Sequence, residues 1–209
     1  MARRRYAASA ALVGKAGSER SAPGGNAADG QPGRELLERC RRGDRQAYGR
    51  VVEICQNRVF NLVRRLVGST TIAEDITQEA FVRAYLNIGR FDVERPFLPW
   101  IFRIAVNLTR NWFKAAARRE IPCGAENNLL QATDGRQLDE RLAIARRLER
   151  ALLELDPKYR IPLVLKHVEG MDYRQMKMML GVPVTALKMR VSRARARLRR
   201  LLDEDDRNG

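Results

Sequence analysis

The apolar residues of this 209-residue chain recur at steps of three and four, the spacing that places side chains on one face of an α-helix. The clearest series runs up to Gly68 and consists of Tyr48, Val52, Cys55, Val59, Leu62 and Leu66. Ser69, Thr70 and Thr71 then offer N-caps for a second helix that closes near Gly89. No segment shows the two-residue alternation typical of strands. The sequence therefore predicts an all-α fold class.

Composition divides the chain into four parts. Residues 1–34 are rich in Gly, Ala, Ser and Pro and lack apolar periodicity, which predicts a disordered N-terminal extension. Residues 35–117 hold 14 basic and 9 acidic residues, a net +5, and residues 141–209 hold 17 and 9, a net +8. The connector, residues 118–140, holds 3 basic and 5 acidic residues. We expect two small helical domains joined by a flexible linker.

The net charge of +15 favours a polyanionic partner over a catalytic function. A single histidine, His167, argues against histidine-based acid–base catalysis, and no phosphate-binding glycine loop replaces it. Cys40, Cys55 and Cys123 are too widely spaced for the usual zinc or disulfide patterns. The expectation is a non-enzyme without cofactor, metal or small-molecule substrate.

Charged residues interrupt every apolar stretch well before the roughly 20 residues that a membrane span needs. The short alanine-rich stretch after Arg3, Arg4 and Arg5 ends too soon for an export signal. Together with the cysteine pattern, this predicts a cytoplasmic location.

The strongest local pattern lies between residues 171 and 202. A short helix capped by Asp172 meets Gly181, which suits a tight turn, and a longer helix follows Pro183. This is the layout of a helix-turn-helix, whose second helix lies in the major groove of DNA. Residues 173–202 contain nine Lys or Arg and no acid. The inward positions of the two helices are Met176, Met179, Leu180, Leu187, Val191, Ala194 and Leu198.

Two upstream helices carry polar patterns that admit two interpretations each. In the third helix, one face combines an aromatic, an amide and cations, which suits capture of single-stranded DNA, although an aromatic stripe is more often core. Its members are Trp100, Arg103, Asn107, Arg110 and Lys114. The second helix gathers Glu74, Asp75, Gln78 and Glu79, either a solvated face or a contact patch for a basic protein.

Three segments, taken in order, resemble bacterial RNA polymerase sigma factors of the extracytoplasmic-function (ECF) group. They are residues 75–85 (DITQEAFVRAY), 97–108 (FLPWIFRIAVNL) and 181–195 (GVPVTALKMRVSRAR). The resemblance covers about residues 35–117, as the sigma-2 domain, and 141–202, within the sigma-4 domain. It implies a protein that binds core RNA polymerase and directs initiation at promoters by recognising −35 and −10 DNA elements.

The resemblance also implies roles for individual residues. Glu74, Asp75, Gln78 and Glu79 would bind the clamp helices of the polymerase β′ subunit. The segment that melts the −10 element would comprise Phe97, Trp100, Arg103, Asn107, Arg110, Asn111 and Lys114. The −35 element would be contacted by Thr185, Lys188, Met189, Arg190, Ser192, Arg193, Arg195 and Arg197. Further expected partners are the β subunit and an anti-sigma factor.

Two rival functions remain open at the level of sequence. A stand-alone helix-turn-helix regulator would bind duplex DNA without polymerase, and it would have no need of the acidic helix at Glu74–Glu79. An RNA-binding protein or nuclease is the second rival, although clusters of catalytic carboxylates or histidines are missing from the sequence.

Overall fold

The computed structural model describes residues 30–118 and 136–208, with side chains described for residues 30–118 and 143–205. Within these ranges every regular element is helical, which confirms the all-α fold class. The helices are α1 (Arg34–Arg41), α2 (Arg45–Val67), α3 (Thr70–Asn87), a 3₁₀ turn (Ile88–Arg90), α4 (Phe97–Arg118), α5 (Arg136–Leu153), α6 (Pro157–His167), α7 (Tyr173–Leu180) and α8 (Val184–Asn208).

Helix α2 is the centre of the N-terminal half, and α1, α3 and α4 all pack against it. Its predicted apolar stripe is buried, apart from half-buried Val52. The predicted boundary after α2 is confirmed, because Gly68 adopts a left-handed φ of 78° and the Ser69 hydroxyl accepts a hydrogen bond from the Ile72 amide. The Tyr48 hydroxyl donates to the Phe81 carbonyl at 2.6 Å and joins α2 to α3.

The predicted helix-turn-helix is formed by α7 and α8. Asp172 and Gln175 form a reciprocal capping box at the start of α7, and Gly181 ends the helix with a φ of 67°. The inward positions of both helices are buried, except that Leu198 is only partly covered. Lys177, within α7, is exposed, so its charge stays in water.

The two halves pack directly against each other and share one apolar core. Arg160 of α6 is only 3% exposed, and its guanidinium donates to the Leu66 carbonyl at the end of α2 and to the carbonyls of Leu153 and Leu155. It also lies over the Phe113 ring of α4, 5.8 Å from the centroid. The sequence predicted separate domains and did not anticipate this contact.

The boundaries between parts also differ from the sequence expectation. Pro32 is buried and α1 begins at Arg34, so residues 30–34 pack on the N-terminal half although the sequence placed them in the extension. Helix α5 begins at Arg136, inside the expected connector. The predicted disorder of residues 1–29 and the predicted flexibility of residues 119–135 lie outside the described residues.

The thiols of Cys40 and Cys55 are free and buried in the core. Burial raises the pKa of Cys40 to about 11 and that of Cys55 to about 12, so both stay protonated at neutral pH. None of the described helices is long and apolar enough to cross a membrane.

Candidate functional site

The acidic face of α3 is open to solvent. Glu74, Asp75 and Gln78 are exposed, and Glu79 is half-buried with its carboxylate 2.7 Å from the Arg83 guanidinium. Three of these four side chains are therefore free to meet a partner, and the fourth is held along the helix by an i,i+4 ion pair.

Leu86 extends the acidic face and was not singled out from the sequence. It follows Asp75 by eleven residues, which is three helical turns, so both side chains point in nearly the same direction. Its exposed fraction is 74%, whereas the other apolar residues of the helix are buried or half-buried. The eleven-residue spacing between Asp75 and Leu86 is the sequence feature that could have placed Leu86 on this face.

The first turn of α4 is built around an aromatic cluster of Phe91, Phe97 and Trp100. The Trp100 ring lies 4.8 Å from that of Phe91 and 5.4 Å from that of Phe97, and the two phenylalanines are 5.6 Å apart edge to face. Phe97 is 1% exposed and Trp100 is half-buried. Of the two aromatic residues in the predicted −10 set, only Trp100 has a surface that DNA can reach in this conformation.

The polar residues of the predicted −10 set continue along α4. Arg103, Asn107, Asn111 and Lys114 are exposed, whereas Arg110 is half-buried and donates to the Leu180 carbonyl of α7 at 3.4 Å. Helix α4 contains no acidic residue, so its exposed side chains give a cationic and amide-bearing surface. The structure thus brings four of the polar residues to an open surface and turns Arg110 toward the helix-turn-helix.

The predicted −35 residues lie along the outer side of α8. Arg190 is half-buried and the others are exposed: Thr185, Lys188, Met189, Ser192, Arg193, Arg195 and Arg197. Beside them, a groove of about 520 Å³ runs between Tyr173 and α8. The ammonium groups of Lys166 and Lys188 lie 5.1 and 6.0 Å from the centre of the Tyr173 ring. The surface is strongly cationic over an apolar floor, which suits phosphates.

The part of the chain that the structure describes contains no cluster of three or more His, Cys, Asp or Glu side chains able to hold a metal ion. The candidate sites are the acidic face on α3 and the cation-rich surfaces on α4 and α8.

Comparison with known proteins agrees with this arrangement. Residues 51–119 match the family model described as Sigma-70 region 2, and residues 145–198 match that of Sigma-70, region 4. The chain is 30% identical over 183 residues to the ECF RNA polymerase sigma factor SigW of Bacillus subtilis, covering 81% of this chain and 96% of the relative. It is 32% identical over 170 residues to the ECF sigma-E factor of Haemophilus influenzae, covering 77% and 89%.

Solved structures show the same fold. CnrH, solved in complex with the cytosolic domain of CnrY, is 30% identical, with a TM-score of 0.59 over 85% of this chain and 99% of CnrH. RpoE of Bartonella quintana, solved with the anti-sigma factor NepR, is 21% identical, with a TM-score of 0.58 over 73% of this chain and 94% of RpoE.

Regions 2 and 4 in this order define the class of sigma-70 factors. The chain belongs to the ECF group of that family. It is thus a sigma factor that directs promoter recognition by RNA polymerase, and the family is not enzymatic.

Proposed function

We propose that the chain assigns the three tasks of initiation to three surfaces: α3 holds core RNA polymerase, α4 captures the opened −10 strand, and α8 docks on −35 duplex DNA. The separation of charge carries this proposal. Helix α4 and residues 184–202 contain no acid, whereas exposed acids gather at the start of α3. DNA repels carboxylates, so the start of α3 suits a basic protein surface and the other two suit nucleic acid.

The acidic face of α3 is assigned to the β′ clamp helices. Asp75 and Gln78 are fully available, and Glu74 adds a second free carboxylate. Glu79 would also contribute, with its carboxylate already held in place by the Arg83 guanidinium. Contact with the β subunit is part of the same proposal and is drawn from the family.

The surface of α4 is assigned to strand opening. Trp100 offers a ring face supported from behind by Phe91 and Phe97, and stacking of a base on such a ring is worth about 1–3 kcal/mol. Arg103 and Lys114 would pair with phosphates, and the amides of Asn107 and Asn111 suit base edges. Phe97 contributes by supporting Trp100, and Arg110 becomes available to DNA only when its bond to Leu180 breaks.

The surface of α8 is assigned to the −35 element. Lys188, Met189, Ser192 and Arg193 are assigned to base edges, and Thr185, in the first turn of α8, is assigned to the same element. Arg190, Arg195 and Arg197 are assigned to phosphates. A good bidentate contact to a base is worth about 1–3 kcal/mol of discrimination.

An anti-sigma factor that holds the protein inactive is a further proposed partner. Support comes from CnrH, which was solved in complex with the cytosolic domain of another protein and shares 30% identity with this chain. The proposed location is the cytoplasm, where a factor that directs RNA polymerase acts.

Replacement of Asp75, Gln78 and Glu79 together by alanine tests the assignment of α3. Affinity for core RNA polymerase should fall by at least about tenfold, because two carboxylates and an amide leave one interface, while helical content by circular dichroism stays unchanged. Fluorescence titration of labelled chain with core polymerase measures this.

The matched control is the triple alanine variant of Glu53, Gln56 and Asn57, which are exposed polar residues on α2. It should bind core polymerase as the wild type does. Unchanged affinity of the α3 variant, or an equal loss in both variants, would overturn the assignment.

A further inference from the structure

The start of α4 has no cap supplied by its own segment. The first turn of a helix leaves backbone N–H groups without acceptors, and a polar side chain just before the helix usually accepts from them. Here Pro96 precedes Phe97, and its ring carries no acceptor. The amide of Leu98 in this first turn therefore needs an acceptor from elsewhere.

Gln31 supplies it from 67 residues away. Its side-chain oxygen, Oε1, accepts the Leu98 N–H at 3.2 Å. Leu98 is 2% exposed, so water has little access to replace this bond. Only the carbonyl oxygen of the Gln31 amide can accept, so the bond fixes the orientation of the group.

Neighbouring contacts place the Gln31 segment against the turn that leads into α4. Pro32 is buried, and the Arg34 guanidinium lies 2.6 Å from the Glu94 carboxylate within that turn. Helix α1 packs on the 3₁₀ turn just before it. Asp92 folds the turn itself by accepting from the Glu94 amide at 3.1 Å. Residues 30–34 therefore pack against the loop that leads into α4 and against the first helical turn of α4.

The aromatic cluster depends on the same helical turn. Phe97 and Trp100 flank Leu98, and both rings meet Phe91 on the other side of the turn. We infer that Gln31 is a positioning residue for opening of the −10 element: by capping α4 at Leu98, it holds Trp100 at the angle needed to receive a base. This inference rests on the proposed assignment of α4 to strand opening.

The test uses holoenzyme reconstituted from core RNA polymerase and the full chain. Its template is the promoter that wild-type holoenzyme selects from a run-off library, prepared as duplex and with a premelted −10 segment. The variants are Gln31→Ala, which removes the acceptor, and Gln31→Glu, which keeps an oxygen acceptor and adds a charge favourable at a helix N-terminus. Gln56→Ala, on the exposed side of α2, is the matched control.

Gln31→Ala should give about three- to tenfold less run-off from duplex than wild type, the range expected when one capping hydrogen bond is lost. On the premelted template the −10 segment is already open, so the run-off of Gln31→Ala should be less than about twofold below that of wild type. Gln31→Glu and Gln56→Ala should match wild type on both templates. Affinity of all variants for core polymerase should be unchanged.

Three results would overturn the inference: wild-type run-off by Gln31→Ala on duplex, an equal loss on both templates, or a Gln31→Glu variant as defective as Gln31→Ala. If the wild-type chain failed to bind core polymerase or to support run-off, the proposed function would be wrong, and this inference would be wrong as well. The wild-type lanes separate the two cases.

Discussion

The two surfaces proposed to bind DNA hold their side chains in different ways. On α4, Trp100 is half-buried and rests on Phe91 and Phe97, and the helix start is capped by Gln31 from another part of the chain. On α8, the side chains assigned to DNA stand on the outer side of one helix, and all of them except half-buried Arg190 are exposed. A surface that must receive a single base needs a fixed ring, whereas a surface that meets duplex phosphates can rely on long, mobile cations.

The two halves contribute differently to the part of their contact around Arg160 and Leu153. There the N-terminal half offers mainly main chain, namely the Leu66 carbonyl and Gly68, which ends α2, while its Phe113 ring lies beneath Arg160. The C-terminal half offers side chains, namely Arg160 and Leu153. An ion pair between Arg64 and Glu149 at 2.6 Å adds to the contact. We therefore expect the same contact to be weakened in two ways: by truncating a side chain of the C-terminal half, or by adding atoms to the main chain of the N-terminal half.

The largest expected effect follows from Arg160→Ala. Loss of the guanidinium leaves several buried carbonyls without a donor, which should lower the free energy of unfolding by about 3 kcal/mol. Urea denaturation followed by circular dichroism measures this. Arg200→Ala, at an exposed position on α8, should change stability by less than about 0.5 kcal/mol. If Arg160→Ala lowered the free energy of unfolding no more than Arg200→Ala does, the contacts of the Arg160 guanidinium would contribute no stability.

Gly68→Ala should have the next largest effect. Gly68 has a φ of +78°, and an added Cβ would lie 2.8 Å from the terminal carbons of Leu153. Gly181 has a similar φ of +67° but nothing within 4 Å. Gly181→Ala should therefore cost only the backbone strain of about 1–2 kcal/mol, and Gly68→Ala should cost about 1 kcal/mol more.

Thermal and urea unfolding of both glycine variants measure the difference. In a Leu153→Ala background the extra cost at Gly68 should vanish, because the clashing carbons are gone. If Gly68→Ala still lowers the free energy of unfolding more than Gly181→Ala in the Leu153→Ala background, the extra loss does not come from the contact with Leu153.

The smallest effect is expected from Arg197→Ala on α8. Loss of one phosphate contact should reduce the slope of log affinity against log salt by about 1 without changing which promoter is preferred. Titration of labelled −35 duplex at several salt concentrations measures the slope. Glu53→Ala on α2 should leave the slope unchanged, and a change in promoter preference by Arg197→Ala would contradict the assignment to phosphate.

Local rules accounted for much of the fold. The stripe of α2, the caps at Ser69 and Asp172 and the left-handed glycines were predictable because each depends on residues within a few positions. The segments around Asp75 and Lys188 likewise indicated the family. The contacts of Gln31 with Leu98 and of Arg160 with Leu66 span 67 and 94 residues, and no local pattern encodes them.

The predicted sites show the same limit. The exposed positions of Asp75 and Arg193 follow from helical spacing, as the structure confirms. Helical spacing alone does not reveal that Phe97 is buried while Trp100 is half-exposed, since the turn at residues 93–95 brings Phe91 against both rings. Nor does it reveal that Arg110 donates to Leu180, a contact that exists only because the halves pack together.

The most direct test of separate surfaces for opening and docking compares Trp100→Ala with Arg193→Ala in run-off transcription by reconstituted holoenzyme. The template is the same promoter as duplex and with a premelted −10 segment. Premelting should restore most of the activity lost in Trp100→Ala and little of that lost in Arg193→Ala. Equal restoration of both variants would show that opening and docking do not depend on separate surfaces.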